Sequence, residues 1–153
     1  MKKFLTLVVL AIPFILFSQN YTYEKDYWDK EKTNIKDSSG KIIGYTKVDY
    51  WDKEKINVYD SNGNIIKTIK NDYWDKEKTN TYDSKGDLKT SEKSDYWNKD
   101  RTNILDERGN IIGYREGDYW DKEKINVFNK KGTKIGYYKK NYYSGNWEYH
   151  DEL

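Results

Sequence analysis

The heptapeptide DYWDKEK, or a near copy of it, begins at Asp26, Asp49, Asp72, Asp95 and Asp118, so the chain restates itself at a constant 23-residue step. A period of this size marks a repeat architecture, in which each unit is one supersecondary element that buries its apolar surface only against its neighbours. The units run from 26 to 48, 49 to 71, 72 to 94, 95 to 117 and 118 to 140. Residues 19 to 25 form a lead-in, and residues 141 to 153, NYYSGNWEYHDEL, read as a degenerate terminal repeat or cap. No linker or second domain interrupts the series.

Every unit contains a turn, written DSSG, DSNG, DSKG, DERG or NKKG, that ends at Gly40, Gly63, Gly86, Gly109 or Gly132. Asp or Asn first and Gly fourth is the pattern of a type I turn followed by a left-handed residue, which predicts a β-hairpin in each unit. Counting outward from the turn, Asp37 faces Lys41, Ile35 faces Ile43 and Thr33 faces Tyr45. The same count sets Val58 against Ile66, Ile104 against Ile112 and Val127 against Ile135 on one face. On the other face Asn34, Asn103 and Asn126 fall opposite Gly44, Gly113 and Gly136. Unit three departs from the pattern with Thr81, Lys89 and Ser91, and is expected to be the weakest. The segment after each turn is longer than the strand before it, so the chain has to bend or shear between units. The expected fold class is all-β: five 23-residue β-hairpin repeats plus a degenerate sixth, arranged as a coiled β-solenoid-like stack or a single-layer meander.

Lys2 and Lys3 precede an apolar run from Phe4 to Phe17 that stops at Ser18. That run is too short for a bilayer core of ~30 Å, so residues 1 to 18 read as a secretory signal peptide, with no stable membrane anchor after its removal. Its style is that of Gram-negative exported proteins. The segment holds two lysines and no acid, so its loss leaves basic and acidic side chains equal in number. A balanced chain lacks the positive surplus of a nucleic-acid binder, and none is expected as a partner. The absence of cysteine excludes disulfides, thiolate metal sites and a cysteine nucleophile. A competing address is the terminal His150, Asp151, Glu152, Leu153, which matches the HDEL signal for retention in the endoplasmic reticulum lumen; against it stand the bacterial style of the signal and the presence of a single glycosylation sequon, Asn20-Tyr21-Thr22.

A mean hydropathy of −1.16 and a 35% share of charged residues leave little for an aliphatic core. The sixteen Tyr, six Trp and four Phe are expected to supply the packing instead, and this aromatic and β-branched content argues against disorder.

The stretches VYDSNGNII (Val58 to Ile66) and TYDSKGDL (Thr81 to Leu88) resemble the YD repeat core of Rhs-type proteins. That resemblance implies β-hairpins winding on a secreted bacterial protein. The DYWDKEK half of each unit has no counterpart in that family. The aromatic hairpin rhythm is distantly similar to choline-binding repeats of cell-wall proteins, without their GW signature. These resemblances bear on fold class and name no ligand.

Equivalent acids recur in nearly every unit beside lysines, as at Asp26, Asp29 and Glu31, whereas paired-carboxylate catalysis needs two acids in different environments. With a single His and no Cys the other hydrolytic constellations also fail, and no enzyme activity is expected. DSNGN at Asp60 resembles the start of a calcium loop, but the other units keep the glycine and discard the ligand positions, so turn geometry accounts for it and neither metal nor cofactor is expected. The candidate site is the aromatic pair of each unit: Tyr27 and Trp28, Tyr50 and Trp51, Tyr73 and Trp74, Tyr96 and Trp97, Tyr119 and Trp120. Neighbours on a strand point to opposite faces, so one ring of each pair is expected inward and one outward. An exposed row would suit stacking on glycans, with affinity gained by avidity. Knitting adjacent repeats together is the stronger expectation, since each unit is short of core residues. The function expected is adhesion, binding or scaffolding, at the surface of a bacterium, in its periplasm or outside it, with glycans, other envelope components or further copies of the chain as partners. A fibre subunit built through edge strands, or a small immunity partner of a secreted toxin, are the alternatives.

Overall fold

The computed structural model describes residues 20–152, which leaves the expected signal segment 1–18 outside the described residues. The strands are β1 (Tyr21–Lys25), β2 (Lys32–Lys36), β3 (Ile42–Val48), β4 (Lys55–Asp60), β5 (Ile65–Asn71), β6 (Lys78–Asp83), β7 (Leu88–Ser94), β8 (Arg101–Asp106), β9 (Ile111–Gly117), β10 (Lys124–Asn129), β11 (Lys134–Lys140) and β12 (Trp147–Asp151). Each is antiparallel to the next in sequence, and β1 also pairs with β12 through Tyr21 and Tyr149, Thr22 and Glu148, and Tyr23 and Trp147. The all-β hairpin meander is therefore present, but it closes into a barrel and is neither a solenoid nor an open sheet.

The repeat itself explains the closure. Each unit supplies two strands, the lead-in supplies β1 and the terminal segment supplies β12. β1 stands one period before β3, and β12 one period after β10, so the ends of the chain together form the missing sixth hairpin partner. Joining them satisfies the last open backbone groups and leaves no edge strand among the described residues.

The expected hairpin register needs correction. Gly40, Gly63, Gly86, Gly109 and Gly132 do lie in the left-handed region, and Asp37 N–H donates to Lys41 O at 3.0 Å as the turn requires. A bulge then follows: Lys36 pairs with Ile42 and Ile35 with Gly44, so Ile43 is skipped. The same shift sets Val58 against Lys67, Ile104 against Gly113 and Val127 against Gly136, and puts Asn34, Asn103 and Asn126 opposite Tyr45, Tyr114 and Tyr137. The extra residue lets the paired isoleucines sit at the rim, where Ile42, Ile65 and Ile111 are exposed. It also brings glycine into the barrel wall: a Cβ on Gly44 would lie 2.5 Å from Tyr59 O on the next strand.

With that register, period-two alternation sends Ile35, Val58, Ile104 and Val127 into the lumen, where they are buried. Tyr23, Ile56, Ile69 and Tyr138 join them there. The outer face carries cross-strand ring stacks, Tyr45 on Tyr59 at 4.7 Å, Tyr114 on Phe128 at 4.8 Å and Tyr137 on His150 at 4.8 Å, with Lys32, Arg101 and Lys124 lying over the first ring of each. The aromatics thus pack the wall from outside while β-branched residues fill it from inside.

One lumen layer breaks the repeat. Tyr23, Thr46, Ile69, Glu92, Arg115 and Tyr138 occupy the same place in successive units, and all are buried. Six identical side chains converging on one axis would clash or leave a void, so this layer is where the units differ in size and charge. Unit three, expected to be weakest, contributes Glu92, which pairs with Arg115 over the intervening strand β8 on the lumen side. Its outward Ser91 is also buried and donates to Asn80 Oδ1 at 2.8 Å.

Candidate functional site

The loops 26–31, 49–54, 72–77, 95–100, 118–123 and 141–146 each join an odd-numbered strand to the following even-numbered one. In an up-and-down barrel all such connections lie at one end, so the DYWDKEK motifs form a ring on a single rim. The glycine turns form the other.

Local chemistry makes these loops rigid. Asp26 Oδ1 accepts the backbone N–H groups of Trp28 and Asp29, both at 3.0 Å, while Oδ2 accepts Asn34 Nδ2 at 3.0 Å. The same lock joins Asp49 to Asn57, Asp72 to Asn80, Asp95 to Asn103 and Asp118 to Asn126. Such donors stabilise the ionised carboxylate. They hold Asp26, Asp49 and Asp72 at a pKa of about 2, led by the backbone N–H of Asp29, Asp52 or Asp75 and then by the Asn amide. At Asp118, also about 2, the Asn126 amide leads, and Asp95 is likewise lowered, with the Asn98 N–H first.

A second clamp ties each loop to the next strand: Lys47 to Asp29 at 2.7 Å, Lys70 to Asp52 and Lys93 to Asp75 at 2.6 Å, and Lys139 to Asp121 at 3.4 Å. In unit four both members change together, and Asn98 Nδ2 donates to Glu116 Oε1 at 2.6 Å. That paired exchange is visible in the sequence and is the signal by which the clamp could have been found.

The aromatic pairs stand on this frame. Tyr27 and Trp28, Tyr50 and Trp51, Tyr73 and Trp74, Tyr96 and Trp97, and Tyr119 and Trp120 meet edge to face at 4.7–4.8 Å with interplanar angles of 87–88°. The expectation that one ring of each pair packs inward fails, because the motif sits in a bend and not on a strand. Each indole is 89–90% exposed and each phenol 74–84%. The rings therefore do not knit the repeats together, and apart from the contact within its own pair each indole stands in solvent. Lys53, Lys76, Lys99 and Lys122 lie 5.6–6.0 Å from the Tyr ring of their own loop. The sixth loop has Tyr142 and Tyr143 instead, also exposed and edge to face at 5.5 Å. The sixth tryptophan, Trp147, packs against the lumen core. What the loops form is a crown of regularly placed rings on one end of a closed barrel.

The rim is charge-balanced. Around the first loop Asp26 has Lys32 at 3.7 Å, Asp29 has Lys47, and Glu31 has Lys53 of the next loop at 3.2 Å. No group of three or more His, Cys, Asp or Glu suited to a metal occurs among the described residues. No helix there is long and apolar enough to cross a membrane. His150 and Asp151, of the HDEL match, are paired into β12 opposite Tyr137 and Gly136, and Glu152 bridges to Lys134 at 2.9 Å.

These features define an all-β repeat barrel with an aromatic rim. No family model and no curated protein matches the chain. Among solved structures it is similar to an X-ray structure of a protein from Arabidopsis thaliana, with a TM-score of 0.64 over 87% of this chain and 79% of that one. Sequence identity is 9%, so the likeness is one of fold alone.

Proposed function

We propose that the protein is an exported, non-enzymatic binding module that works at the bacterial envelope or outside the cell, and that the aromatic crown is its contact surface. The observation that supports this most is the exposure of five Tyr-Trp pairs in one geometry on one rim. Ten exposed aromatic rings gathered on one rim support an interaction site, because apolar ring surface is costly to leave in water. The rim acids are spent on turn locks and clamps, which speaks for binding over catalysis. A fibre subunit needs open edge strands, and a closed barrel has none. For the HDEL tetrapeptide to be read in the endoplasmic reticulum, β12 would have to be peeled from the wall.

Cell fractionation with mass spectrometry of the mature N-terminus tests the location, and alanine at Trp28, Trp51, Trp74, Trp97 and Trp120 together tests the surface. The expected result is a mature chain lacking residues 1–18, retained on the envelope or on added cells, and released by the fivefold variant. Cytoplasmic full-length protein, or unchanged retention of the variant, refutes the reading.

A further inference from the structure

The partner of the crown can be narrowed by charge and spacing, on the reading that the crown is the contact surface. An anionic bilayer or a nucleic acid is bound through a surplus of Lys and Arg. Here the rim acids Asp26, Asp29 and Glu31 each have a lysine at salt-bridge distance, and such pairs recur at Asp49, Asp52, Glu54, Asp75, Asp118, Asp121 and Glu123, so lysines and acids alternate without a basic patch. What the rim offers instead is exposed indoles beside polar side chains. That combination suits a ligand with apolar ring faces and hydroxyl edges but no charge.

Spacing then sets ligand length. Adjacent crown loops are separated by two strand positions, about 10 Å at the usual inter-strand distance and somewhat more along the rim of a tilted barrel. This is wider than one pyranose ring. A ligand touching two neighbouring indoles must therefore be an extended chain of at least three sugars. Because the loops stand on a circle, a straight chain runs tangent to it and reaches only two or three of them. The remaining pairs stay free for other chains. We propose that the Tyr-Trp loops are equivalent stacking subsites for uncharged, extended polysaccharide, with neighbouring loops sharing one chain and the whole crown engaging several chains of a polymer surface at once. Tyr142 and Tyr143 interrupt the ring where no indole is available.

The probes are insoluble cellulose and chitin, their soluble disaccharides and hexasaccharides, and vesicles of phosphatidylcholine alone or with phosphatidylglycerol. The mature chain should be retained on at least one insoluble polymer, bind its hexasaccharide more tightly than its disaccharide, and ignore both vesicles. Trp51→Ala or Trp74→Ala should each weaken retention roughly tenfold, as expected for loss of one aromatic contact within a multivalent set. The double variant, which removes two adjacent subsites, should lose more than a variant with Ala at Trp28 and Trp97. Lys85→Ala on the opposite rim should change nothing, and all variants should keep the parent melting temperature. Equal binding of disaccharide and hexasaccharide, retention on vesicles, or no retention on either polymer overturns the proposal. If envelope association in cells still depends on the tryptophans while polysaccharide binding is absent, the contact-surface reading survives and the glycan partner does not.

Discussion

Replacing Arg115 by Met isolates the buried ion pair of Glu92 and Arg115 in the lumen. The Glu92 and Arg115 side chains are 9% and 4% exposed, they form a hydrogen-bonded ion pair, and Arg115 Nε and Nη1 have no partner. A buried pair with unsatisfied donors has paid most of its desolvation cost without full recovery, so removing one member strands the other. Burial already raises the Glu92 pKa despite the opposing pull of Arg115. Without the guanidinium the two lowering contributions of Arg115 are lost and it rises further. Arg115→Met is therefore expected to cost about 3 kcal/mol, within the range for broken buried pairs. With an m-value of about 2 kcal/mol/M, the urea midpoint would fall by about 1.5 M. An acid whose folded pKa is raised costs stability above its unfolded pKa, so the variant should recover as pH falls from 7 towards 5. Adding Glu92→Leu should restore the parent stability or exceed it. A single-variant loss under 1 kcal/mol, flat with pH, would mean that water reaches the pair and that the lumen is not a dry core.

Gly63→Val should destabilise by more than ~1 kcal/mol in urea unfolding, since φ is +85° there and a β-branched residue enters that region only with strain; Asn62→Ala should cost less. Gly113→Ala should be at least as damaging, about 1–3 kcal/mol, because the added Cβ would meet Phe128 O at 2.6 Å and backbone cannot swing aside. Acid titration followed by circular dichroism should show the locks of Asp26, Asp49, Asp72 and Asp118: their folded pKa of about 2 lies below the unfolded value, so their stabilisation is present above about pH 4 and lost as pH falls through 2. A barrel whose acid transition begins at pH 5 or higher would show that other groups control it.

The 23-residue period, the glycine turns and the alternation of Val and Ile with Asn were enough to determine hairpins, an all-β chain and the position of the aromatic pairs within each unit, but left a coiled stack and a meander both open. These are local properties: a turn with Asp first and a left-handed glycine fourth closes on itself whatever surrounds it. Register was not local. The bulge at Ile43 recurs in units two and three, where Lys67 and Thr90 stand in place of Gly44, so the glycine does not dictate it, and outward counting from the turn missed it. Closure in turn depends on β1 meeting β12, a contact between the two ends of the chain that no single unit encodes. The rings of the DYW motif followed the same logic. Read as strand residues they divide between two faces, whereas Asp26 and its counterparts cap a bend and turn both rings outward. The amino-acid sequence thus decided which residues recur, and the closed barrel decided that the recurring rings share one rim while the divergent layer from Tyr23 to Tyr138 shares one interior, because only in a ring do equivalent positions of distant units face a common axis.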